Sequence, residues 1–206
     1  MRHAPQRLSL SLGAALLTLT LAACGNEVTS EEQARRAYLG LDKSVAKALQ
    51  LGFKGFNEAQ SANIPEQTTT GDAGGTLKIN GQVDQGSSAN KGMRLRIGMT
   101  DYTDGKFTVP GEDEELQVTY RTAAAVEQQP ALNLSMKGLP NATFTGTLTG
   151  SFEMTGDVEG PVTLNLNFAG ETEDDGTGKV RRKAGTTTVT GTARAADADF
   201  AVNVKI

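Results

Sequence analysis

The chain has 206 residues, 37% of them hydrophobic and 21% charged, with 20 basic against 24 acidic side chains. That length suits one domain, which can bury about two-thirds of its unfolded surface. The acidic balance argues against nucleic acid as a partner.

Arg2 and Arg7 give the N-terminus a short basic start. Leu8 to Leu21 follows as an apolar run broken only by Ser, Thr and Gly, and the small residues Ala22 and Ala23 close it. This is the pattern of a secretory leader, too short and wrongly flanked for a spanning helix. Its end, Leu21-Ala22-Ala23-Cys24, resembles the lipobox of bacterial lipoproteins. The resemblance implies cleavage before Cys24, with acyl chains (palmitate among them) on its sulfur and on its new amino group. It therefore implies a cell-envelope protein held at a membrane through a lipid anchor. In enteric bacteria an aspartate after the cysteine marks retention in the inner membrane. Gly25 stands there instead, which leans the expected location towards the outer membrane. The chain then divides into a signal peptide (1–23), a lipidated tether (24–29) and a single domain (30–206).

The only histidine, His3, leaves with the leader, and Cys24 is the only cysteine. What remains has no imidazole and no free thiol. Ser-His-Asp and Cys-His catalysis are removed, as is zinc held by His or Cys. The expectation is no enzyme, no cofactor and no metal site. A carboxylate pair, a Ser-Lys pair or an oxygen-only cation site stays open, but no spacing picks out a Ser-Lys pair.

Ser30 followed by Gln33 reads as a capping box, and Glu31 and Glu32 suit a first helical turn. Ala34, Ala37, Tyr38, Leu41, Val45, Ala48, Leu49, Gly52 and Phe56 then recur with helical period. The spacing predicts a helix from about Ser30 to about Gln60, weakened after Leu51 by Gly52 and Gly55 and ended by Ile64-Pro65. Its opposite face carries Arg36, Lys43, Lys47 and Lys54. Close to a lipid anchor, that basic stripe suits contact with a membrane surface. Thr68 to Gly75 reads as a polar connector.

From Leu77 onward the pattern alternates with period two. The apolar sets are Leu77/Ile79/Val83, Met93 to Met99, Leu116/Val118/Tyr120, Leu132/Leu134/Met136, Phe144 to Met154, Val162 to Phe168, Thr187/Val189 and Phe200 to Ile206. That predicts about eight antiparallel strands, each with one apolar and one wet face, joined as a meander of hairpins. Gly81, Gly146, Gly150 and Gly191 fall on the apolar face, where glycine signals bending or close backbone approach. The fold class is α+β: a curved, half-barrel-like antiparallel sheet packed on one long N-terminal amphipathic helix.

The acidic run Glu171 to Gly176 has carboxylates suited to calcium. It does not match an EF-hand register and reads as a solvated hairpin turn, as does Glu112 to Glu115. The basic run Lys179 to Lys183 reads as neutralising the acidic loop beside it, with a headgroup or polyanion contact as the alternative. The predicted layout looks like the half-barrels of periplasmic lipoprotein carriers and related lipid-binding lipoproteins. That likeness implies a hydrophobic or lipid ligand between helix and sheet, in a cavity lined by Gly146, Leu148, Gly150, Phe152 and Gly191. The competing reading is a structural or protein-interaction lipoprotein with a filled core. Free space inside the fold discriminates the two.

Overall fold

A computed structural model describes residues 26–206. The helical part comes in two pieces, α1 (Glu31–Leu39) and α2 (Asp42–Glu58), which together form one bent helix. Ser30 caps α1, its Oγ accepting from Gln33 N–H at 3.2 Å. The Gln33 side chain reaches past Ser30 and accepts from both N–H and Oγ1 of Thr29. The bend has a defined cause. The Tyr120 hydroxyl donates to the Ala37 carbonyl at 2.9 Å. In a straight helix that carbonyl would accept from Leu41 N–H, which donates to Tyr38 O instead. An inserted side chain of this kind kinks a helix. Gly40 makes room for it, since a Cβ there would lie 2.3 Å from the Tyr120 oxygen. Beyond the bend the helix runs through Gly52 and Gly55 to Glu58 without stopping at Leu51. Both glycines are close-packing points, Gly52 against Met93 and Gly55 against Ile64.

The sheet holds eleven strands: β1 (Asn63–Thr70), β2 (Gly74–Val83), β3 (Lys91–Thr103), β4 (Lys106–Thr108), β5 (Glu115–Arg121), β6 (Ala131–Lys137), β7 (Thr143–Gly156), β8 (Gly160–Asp174), β9 (Val180–Arg182), β10 (Thr188–Ala195) and β11 (Ala198–Lys205). All pair antiparallel, and the main path runs β1-β2-β3-β5-β7-β8-β10-β11. β6 lies between the same two neighbours as β5. β3 pairs with β6 over Lys91 to Arg96 and with β5 at Tyr102. The two short strands are thus one lane, interrupted by an excursion over residues 122–130. Eight lanes result, in chain order: the eight predicted strands supply seven of them, since Leu116/Val118/Tyr120 and Leu132/Leu134/Met136 share one, and β1 adds the eighth. The edges, β1 and β11, do not pair with each other, so the sheet is not a closed barrel. α1 packs on β11 at one edge, and α2 on β1, β2 and β3 at the other.

Three strands lie where the sequence predicts none. β1 replaces the expected helix stop and connector. It is an edge strand whose register slips between Ile64 and Gln67, leaving Pro65 without a ladder bond to donate, which is where a strand tolerates proline. β4 and β9 are three-residue flaps on β5 and β8.

Gly81, Gly150 and Gly191 have φ of 141°, 144° and 146°, a conformation L side chains rarely adopt. A Cβ on Gly191 would meet the Asn165 carbonyl at 2.1 Å, and one on Gly150 would meet Pro130 at 2.6 Å. These glycines let neighbouring backbones come close. Gly150→Ala is therefore expected to destabilise by about 1–3 kcal/mol from backbone strain alone. A lowered urea midpoint would show it; an unchanged midpoint would contradict the close approach.

Candidate functional site

Cys24 lies outside the described residues. The chain just after it is docked on the body, where the sequence suggests a tether over residues 24–29. The Asn26 side chain donates to Gly156 O at 3.1 Å, and Glu159 N–H donates to Asn26 O at 2.8 Å. Glu27 bridges to Glu159, and Val28 is 3% exposed within the core. The β7–β8 turn is thus the part of the body on which the described chain begins.

Of the four basic residues expected to face a membrane, Arg36 and Lys47 are held by carboxylates, and Lys43 and Lys54 are exposed. Arg36 reaches Glu32 at 2.6 Å and Glu112 at 2.7 Å, and Arg35 joins the same Glu112 at 2.8 Å. Lys47 is clamped between Asp72 at 2.7 Å and Asp104 at 2.5 Å. Burial alone would lower the Lys47 pKa, but hydrogen bonds to Asp104 and Asp72 outweigh it and hold it above the usual value. The hydrogen bond from Lys47 in turn lowers the Asp72 carboxyl. Lys43 reaches the same Asp72 at 3.4 Å, and Lys54 lies 4.0 Å from Glu58; both are exposed. Of the stripe, only Lys43 and Lys54 present their ammonium groups freely to solvent.

The acidic and basic runs around β9 have local structural roles. Asp174 and Asp175 accept backbone N–H groups from residues 176–179 and so shape the hairpin tip. Arg181 pairs with Glu173 and Lys183 with Glu171, as expected. Arg182 crosses to the helix, donating to both Asp42 oxygens at 2.8 and 2.7 Å. Asp42 also accepts from the Tyr38 hydroxyl at 2.7 Å, so this cluster pins the hairpin to the bend.

The residues expected to line a ligand cavity are not brought together around one space. Leu148 and Phe152 are each 1% exposed in one continuous core that also holds Tyr38, Leu41, Val45 and Leu49. Phe152 packs edge-on against Tyr120 at 6.4 Å. Gly150 and Gly191 lie under neighbouring backbone, as above. Gly146 borders an open trough of about 820 Å³, lined by Met93, Leu134 and Phe168 as well as by Asp84, Arg94, Asn133, Thr147 and Asn167.

No family model, curated protein or solved structure matches the chain. The functional reading therefore rests on the geometry. Among the described residues no group of three or more His, Cys, Asp or Glu is placed to hold a metal, and no helix is long and apolar enough to cross a membrane.

A second depression, of about 530 Å³, lies between the solvent side of α2 and the β8–β9 hairpin tip. Leu51, Phe53, Phe56 and Val180 supply its apolar surface. Lys47, Lys54, Glu58 and Lys179 supply its charges. This site is not legible in the sequence, where Phe56 falls on the core face and Lys47 and Lys54 on a membrane-facing one. One signal was present: Phe53 is a large aromatic residue off the apolar stripe, beside Lys54. Nothing in the sequence tells that the hairpin tip folds over it.

Proposed function

We propose that the protein is a non-enzymatic lipoprotein of the cell envelope, anchored through acylated Cys24 and acting as an interaction module. The filled interior carries this choice over the carrier reading. With Leu148 and Phe152 packed in the core, a ligand or partner meets the outside of the body and not a space between helix and sheet. The docking of Asn26 to Thr29 supports a short link, with the β7–β8 turn towards the membrane and the opposite strand ends away from it. The absence of imidazole and thiol chemistry from the chain beyond Cys24 supports a binding role. The outer membrane is the proposed location.

Cell fractionation tests the reading. Wild-type protein should sediment with membranes, and Cys24→Ser should appear in the soluble fraction. Organic extraction of that soluble variant should recover no stoichiometric lipid from its interior. Wild-type protein in the soluble fraction would overturn the anchor, and a core-bound lipid would restore the carrier reading.

A further inference from the structure

We propose that the groove between α2 and the β8–β9 hairpin binds a single-chain amphipathic anion, such as a fatty acid monomer, taken from the aqueous phase. The groove's volume of about 530 Å³ falls in the range of small-ligand sites. Phe53 and Phe56 are only partly buried, and with Val180 they leave apolar surface open beside the helix. The Lys91 ammonium sits 4.7 Å from the centre of the Phe56 ring and fixes one of its faces.

The charge of the groove runs against that of the protein. The chain as a whole carries −4, yet the groove is bordered by three lysines and one glutamate. Lys47 is committed to Asp72 and Asp104. Lys54 is held only loosely, 4.0 Å from Glu58. Lys179 forms no ion pair among the described residues, while its neighbours Arg181, Arg182 and Lys183 all do. Two ammonium groups at the rim of an aromatic floor suit one negative head on one apolar tail. A cation of the same shape would meet like charge, and a purely apolar ligand would leave the lysines unused.

The position of the groove separates this occupant from the bilayer. β8 starts at Gly160, beside the docked N-terminal segment, and ends at Asp174, where the hairpin tip begins. Its 15 residues span up to about 50 Å of strand. The groove thus sits at the end of the strand far from the proposed anchor, facing dissolved monomers and not membrane lipid. The inference holds for the body whether or not Cys24 is acylated.

The chain has no tryptophan, so Phe53→Trp places a single reporter in the groove. This change is made in the whole chain bearing Cys24→Ser. Adding laurate below its micelle concentration should give a saturable blue shift of the tryptophan emission. Dodecyltrimethylammonium, with the same tail and a positive head, should bind about tenfold more weakly or not at all. Charge reversal at the rim, Lys54→Glu with Lys179→Glu, should weaken laurate by about tenfold or more and reverse the preference. Calorimetry with laurate on the protein lacking the tryptophan gives the same readout should Phe53→Trp perturb folding. Absence of saturable binding in both measurements overturns the proposal. So does equal binding of anion and cation, or laurate affinity indifferent to the charge reversal. A shift seen with phospholipid vesicles and not with laurate monomer also overturns it, by assigning the groove to the bilayer.

Discussion

Raising the pH from about 10 to about 12 is expected to remove most of the stability of this protein. All three tyrosines, Tyr38, Tyr102 and Tyr120, are fully buried. Burial is the first cause that pushes each hydroxyl above its ordinary value. The carboxylates of Asp42 and Asp104 add to it at Tyr38 and Tyr102, which donate to them at 2.7 and 2.6 Å. A group whose folded pKa is raised contributes stability that is complete below its unfolded value and is lost as pH climbs above it. Here the loss starts near pH 10, at about 1.4 kcal/mol per pH unit for each tyrosine, or about 4 kcal/mol per unit for three. Lys47, raised by its two aspartates, acts with the same sign. A domain with about 5–15 kcal/mol in hand does not survive that slope for long. Tyrosinate absorbance should therefore appear together with loss of circular dichroism, in one cooperative step. Gradual titration of tyrosine near pH 10 in protein that stays folded would contradict the burial.

Leu41→Ala is expected to cost about 2–5 kcal/mol, and Lys43→Ala close to nothing. Leu41 is fully buried at the bend, whereas Lys43, two residues on, is exposed and makes one long ion pair with Asp72. The pair of variants separates packing of the helix on the sheet from its charge. Urea denaturation reads the difference. Equal, small effects would mean that the helix does not hold the sheet together.

Much of this architecture is legible from periodicity, because a sheet with one dry face writes its lanes into the sequence as alternation. Leu132 to Met136 and Phe144 to Met154 read directly as strands for that reason. β1 escapes such a reading. In Asn63–Thr70 only Ile64 and Gln67 are buried, so an edge strand with a proline in its bulge looks like a connector. The helix bend escapes for another reason: it depends on the Tyr120 hydroxyl, far away in sequence, capturing one carbonyl. The charged stripe on the helix is legible as residues but not as a surface. Arg36 and Lys47 find Glu112, Asp72 and Asp104 only after the chain has folded. Glycines on the apolar face announce close backbone approach correctly, but they say nothing about empty space, and Leu148 and Phe152 fill what a carrier would leave open.

In the proposed function Cys24 becomes the acylated first residue of a body held close to a membrane. Mass spectrometry of the N-terminal peptide of the protein isolated from membranes tests it most directly. The expected peptide begins at Cys24 and carries the mass of a diacylglyceryl group plus one further acyl chain. A peptide that begins at Met1, or one in which Cys24 is a free thiol, would contradict it.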